Sequence, residues 1–207
     1  WLCAGQSNMV MPLNGFDYCP ISDSNNVIAD APNHPGIRMV TIKPTVKLSP
    51  QEYAEGSWQQ PTTENAPKFS AAAYHYALTL QRTLQIPIGV ITCAWGGSRV
   101  EGWLPKEILQ TYKDEDLTLI GSDKTPVYLQ SMLMYNGILY PCHKYTIKGF
   151  IWYQGESNVR SSRTYAERLA TMVKHWRSIW KQGDLPFYYV ETVPFACEYK
   201  EDGYIGA

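Results

Sequence analysis

The chain has 207 residues, 18 Lys and Arg against 19 Asp and Glu for a formal net charge of −1, and 44% hydrophobic residues. That balance excludes an intrinsically disordered chain and a broad basic face for nucleic acid. The longest apolar run, Ile86 to Trp95, is about half the roughly 20 residues a membrane helix needs, so a globular domain with no membrane partner is expected.

Trp1 to Ala4 reads as the end of a truncated strand. Asp17 to Pro67 is rich in Pro, Asn and Ser, an excursion over one end of a sheet with one strand around Ile37 to Leu48. Pro44 puts that strand at an edge. Phe69, Ala73, Tyr76, Ala77, Leu80 and Leu84 recur at helical steps, with Ser70 near the start. Ile86 to Ala94 and Ile147 to Tyr153 read as strands buried on both faces. Tyr165, Leu169, Met172, Val173, Trp176, Ile179 and Trp180 form a second helical stripe, punctuated by Gly183 and Pro186. Phe187 to Val193 is a further strand. Strands alternating with helices imply a mainly parallel sheet between helical layers, a three-layer α/β/α sandwich.

Ligands of such sheets bind beyond the carboxyl ends of the strands. There the sequence places Gly5-Gln6-Ser7-Asn8-Met9, Trp95-Gly96-Gly97-Ser98 and Trp152-Tyr153-Gln154-Gly155-Glu156-Ser157-Asn158. Together they supply a hydroxyl, bare glycine backbone, an amide and a carboxylate, the inventory of acyl transfer. Each block alone is also an ordinary turn. Trp95, Trp103, Trp152 and Tyr153 flank the blocks and suit a pocket wall or the core equally, and Arg99 and Glu101 suit a surface pair or a substrate contact. The cysteines (Cys3, Cys19, Cys93, Cys142, Cys197) contain no CxxC, so unpaired thiols are expected, with no metal and no cofactor.

The three blocks in this order, with Tyr135-Asn136-Gly137 and Asp184-Leu185-Pro186-Phe187-Tyr188-Tyr189, resemble the SGNH hydrolase superfamily. The branch is that of sialate O-acetylesterase-like carbohydrate esterases and their acetylxylan-esterase relatives. The resemblance implies the flavodoxin-like SGNH fold over residues 1–207 as a single domain. It also implies a serine esterase that takes acetyl groups from carbohydrates, sialic acid first and xylan or another acetylated glycan second. By the same resemblance Ser7 is the nucleophile. The backbone N–H groups of Ser7 and Gly97 and the side chain of Gln154 form the oxyanion hole, with Gly96, Glu156 and Asn158 in support. Met9 stands where an α/β-hydrolase elbow has its last glycine, which disfavours that fold. A glycan substrate carries the expectation of a secreted or periplasmic protein.

A serine esterase of this type needs a histidine, which the family takes from a late Asp-x-x-His-like block. Of the histidines present, His175 reads as a helix-surface residue, His75 sits beside the other helical stripe, and His143 lies in a connection. His34 follows Asp30 by four residues in the excursion. None is read as the base. The missing block is expected beyond Ala207, in a domain incomplete at both ends. Two alternatives remain on the same fold, a catalytically inactive carbohydrate-binding module and a lipid esterase.

Overall fold

The computed structural model describes residues 1–192. Its elements in chain order begin with β1 (Leu2–Gly5), α1 (Ser7–Val10), α2 (Ser24–Asp30) and β2 (Ile37–Thr41). They continue with α3 (Ala71–Leu84), β3 (Ile88–Ala94), α4 (Lys106–Leu109), β4 (Phe150–Tyr153), α5 (Ser162–Trp180) and β5 (Phe187–Tyr189). Short 3-10 turns and a π-helical segment, Tyr135–Leu139, fill the connection between α4 and β4. Within the described residues the sheet has the order β2-β3-β1-β4-β5, and every pairing is parallel.

Side chains that alternate along β1 explain why both faces must be covered. Leu2 and Ala4 enter one core with Phe150, Trp152, Met172, Trp176 and Trp180, under α5. Cys3 enters the other with Met9, Tyr74, Ala77 and Val90, under α1 and α3. The first core is aromatic: Phe150 meets Trp180 edge-on at 5.0 Å, and Trp152 meets Trp103 edge-on at 5.8 Å. Trp103 and Trp152 are fully buried there, which decides between core and pocket for both. A side chain such as Phe150 or Met172, moved from water into this core, contributes about 1.5–3 kcal/mol.

The helix boundaries follow local chemistry. Ser70 caps α3, its hydroxyl accepting from the Ala73 N–H at 3.2 Å, and Gln85 closes the helix in the left-handed conformation. Lys181 closes α5 in the same way, two residues before Gly183. Strand β2 stops at Thr41 rather than Leu48, before Pro44, and it is an edge strand as Pro44 implied. The excursion also protects that edge, since Gln59 and Met39 exchange backbone hydrogen bonds of 2.9 and 2.8 Å. Strand β5 ends at Tyr189, short of the expected Val193: residues 190–192 are described and are not strand, and Val193 itself lies outside the described residues.

Candidate active site

The three central strands end level with one another. Gly5 pairs with Ala94 on one side and Tyr153 on the other. The chain leaves them together: Trp95 N–H donates to Gly5 O, and Gln6 N–H donates to Tyr153 O, both at 3.0 Å. Only glycine fits position 5, because a Cβ there would lie 2.1 Å from the Tyr153 carbonyl oxygen. This is the reversal point of the strand order, since β1 lies between β3 and β4.

Side chains then lace the three blocks into one rim. Gln6 is buried, and its Oε1 accepts from the N–H groups of Gly155 and Ser157, both at 3.3 Å. Asn8 donates to Glu156 Oε1, joining the same two blocks. Gln154 Nε2 donates to the Ser98 carbonyl at 3.0 Å and to Asn158 Oδ1 at 2.8 Å, joining the third block to the second. Asn158 Oδ1 also accepts from the Val100 N–H at 2.9 Å. The sequence marked Gln6 and Asn8 only as part of a motif. Their lacing role had no signal in one chain, because it depends on which strands are neighbours.

Ser7 opens α1 at the tip of β1 and is partly exposed. Gly96 is its neighbour across the rim, where an added Cβ would stand 4.0 Å from Ser7 Cβ. Gly97 has φ +73°, and a Cβ there would come within 2.8 Å of the Tyr128 ring, so the bare peptide is required. Among the described residues, the N–H groups of Ser7 and Gly97 donate to no protein acceptor, and the Ser7 hydroxyl has no partner. Two acceptor atoms of the third block, Gln154 Oε1 and Glu156 Oε2, are buried without a hydrogen bond.

Glu101 is not a surface residue. It is fully buried, accepts from Asn158 Nδ2 at 3.2 and 3.0 Å, and forms an ion pair with Arg168. Arg168 also donates to Asp114 at 2.6 Å and lies over the Tyr112 ring at 4.8 Å. Burial works against its charge, but the surrounding carboxylates outweigh burial and hold its pKa above the ordinary arginine value. Arg99 pairs mainly with Glu115 at 2.8 Å. A carboxylate only accepts, so Asn158 must turn its amide nitrogen to Glu101 and its oxygen to Gln154. Gln154 must then turn its own nitrogen toward Asn158 and Ser98. One buried acid thus sets the orientation of two amides.

The histidines lie elsewhere. His34 pairs with Asp30 at 2.8 Å, but it precedes β2 at the amino end of the sheet, opposite the Ser7 rim, and Asp30 also binds Arg82. His75 is exposed on α3. His143 is held by the Tyr140 carbonyl at 2.6 Å. His175 is half-buried rather than on the helix surface, bonded to the Tyr135 hydroxyl at 2.8 Å, and burial lowers its pKa. Cys3, Cys93 and Cys142 are buried free thiols and Cys19 an exposed one; burial pushes the Cys3 thiol up to about 12. Among the described residues no group of three or more His, Cys, Asp or Glu is arranged to hold a metal ion. No helix there is long and apolar enough to cross a membrane.

A parallel sheet between two helical layers, with a serine at its reversal point and paired glycines beside it, is the three-layer α/β/α sandwich of the SGNH type. Comparison with solved structures agrees. A carbohydrate acetylesterase from Xanthomonas citri is similar with a TM-score of 0.77 and 31% identity, covering 91% of this chain and 40% of that one. An Arabidopsis thaliana protein of known structure is similar in fold, with a TM-score of 0.53 and 17% identity over 91% of this chain and 71% of that one. The sialate O-acetylesterase of Homo sapiens is 27% identical over 192 residues, covering 88% of this chain and 36% of that protein. The chain therefore spans less than half the length of the curated relatives it matches. The model of the carbohydrate esterase, sialic acid-specific acetylesterase family matches residues 1–203, and the chain belongs to that family.

Proposed function

We propose that the protein removes O-acetyl groups from carbohydrates, sialic acid first among them, through an acetyl-serine intermediate on Ser7. The observation that carries this reading is the pair of unengaged backbone N–H groups, of Ser7 and Gly97, on a rim laced rigid around the Ser7 hydroxyl. The hydroxyl oxygen attacks the ester carbonyl, and the proton passes to a base. The carbonyl oxygen gains negative charge and is met by the N–H groups of Ser7 and Gly97, which give up no protein hydrogen bond to do so. The tetrahedral adduct collapses, the sugar hydroxyl leaves with a proton, and water then releases acetate by the reverse sequence.

Gln154 is proposed as the side-chain donor of the hole. Its amide nitrogen already bridges Ser98 and Asn158, so it meets the oxyanion by loosening one of those bonds. Gly96 leaves room for the acyl group, and Asn158 fixes Gln154. Glu156 holds the Ser7 turn through Asn8 and keeps one oxygen ready for a donor. The proposed base is a histidine other than these four, since His34, His143 and His175 are bonded to Asp30 and Arg82, to Tyr140 and to Tyr135, and His75 is exposed on α3.

Ser7→Ala in the full-length protein tests the reading with an aryl acetate and with O-acetylated sialic acid. Turnover should fall by at least about 10³-fold at unchanged Tm. Retained turnover removes Ser7 from the mechanism. That no histidine of this chain is bonded to Ser7 favours a second reading, a carbohydrate-binding module on the same fold. It would bind glycans and release no acetate in the unaltered protein.

A further inference from the structure

Beside α1 the rim carries a feature that ester chemistry does not use. Residues 12–19 form a braced loop: Leu13 N–H donates to Phe69 O at 2.9 Å, Gly15 N–H to Pro12 O at 2.8 Å, and Phe16 and Cys19 exchange bonds of 3.1 and 2.8 Å. On this loop the rings of Phe16 and Tyr18 stack at 5.5 Å with 16° between their planes, and Tyr18 is 85% exposed. A ring held in water by an ordered loop adds nothing to the core, and water disfavours its apolar face.

Between this loop and α1 lies an open cavity of about 510 Å³. Val10 and Pro12 give it an apolar wall, while Asn14, Asp17 and Lys68 give it polar groups. One lining residue, Val10, stands on the same helix as Ser7, three residues on and about 4.5 Å along the axis. Within the described residues neither Lys68 nor Asp17 has an ion-pair partner. A sugar ring matches this lining: its C–H face covers an aromatic ring, while its hydroxyls both donate and accept. Lys68 and Asp17 carry opposite charges, so the lining has no net charge to select an ionic ligand over a neutral ring.

We propose that this cavity is a saccharide subsite that stacks an uncharged sugar, the neighbour of the acetylated residue, on Tyr18. The placement beside an acetylated residue rests on the esterase reading, but binding is measured without turnover. Full-length Ser7→Ala is titrated calorimetrically with sialyllactose and with xylotriose, neither of them acetylated. Adding Tyr18→Ala should weaken whichever saccharide binds by about fivefold or more at unchanged Tm, while Tyr18→Phe keeps the affinity. Tyr53→Ala, removing an 89% exposed tyrosine away from this cavity, should leave it unaltered. The proposal is overturned if neither saccharide binds, or if Tyr18→Ala leaves affinity intact. It is equally overturned if Tyr18→Ala lowers Tm, which would mean that Tyr18 packs against the rest of the protein. Failure of the esterase reading would show instead in acetate release by the unaltered protein, which these titrations do not use.

Discussion

The two halves of the rim are built on opposite principles. On the β3-β1-β4 side, Ser98, Gln154, Asn158, Glu101 and Arg168 are all buried, and each holds the next through a hydrogen bond or ion pair. On the β2 side, Tyr18, Lys43, Glu55 and Lys68 stand in solvent around open cavities. Charge developing at an oxyanion is stabilised most by dipoles that need not move, which favours burial and cross-bracing. A glycan chain must enter and leave, and exposed rings with mobile polar groups suit that. Substitutions should therefore hurt the first half far more than the second.

The largest stability effect is expected at Glu101. Glu101→Ala leaves Arg168 buried beside a lost partner and frees Asn158 to turn, at a cost of about 3–5 kcal/mol. Thermal unfolding should fall by roughly 10 °C. A fall of a degree or two would mean that the network is not the brace described. Gln154→Met keeps the bulk and removes the amide. Loss of an oxyanion donor predicts kcat down about 10²–10³-fold with KM little changed. If Gln154 only clamps Ser98, KM and Tm should shift with kcat instead. Gly97→Ala forces a side chain into a left-handed φ against Tyr128, a strain of about 1–3 kcal/mol that should lower kcat and Tm together. Gly96→Ala has no such clash and should spare Tm while crowding Ser7. The smallest effect belongs to the open half. Lys43→Ala breaks an exposed ion pair with Glu55, and Tm should move by less than roughly 2 °C.

What was legible in the sequence follows the same division. Long, strongly periodic elements announced themselves: β3, α3 with its Ser70 cap, and α5 lie where their patterns put them, the first two starting two residues later than read and α5 three residues earlier. The rim was legible because three short blocks each follow a strand and the strands are parallel. Glu101 was not, since a lone acid beside Arg99 looks like a surface pair until Arg168, distant in sequence, is folded against it. Nor was α2, whose Ser24–Asp30 segment has no buried residue and hence no apolar stripe to betray it. The braced loop at Phe16 to Cys19 depends on a two-residue backbone exchange that composition does not encode.

The central claim is that the Ser7 hydroxyl carries the acetyl group, and rapid quenching tests it most directly. Full-length enzyme mixed with an aryl acetate, stopped in acid during the first turnover and digested, should yield the peptide containing Ser7 with one acetyl group on that serine. Release of acetate with the peptide unmodified at every quench time, and the acetyl group found on another residue or on none, would contradict it.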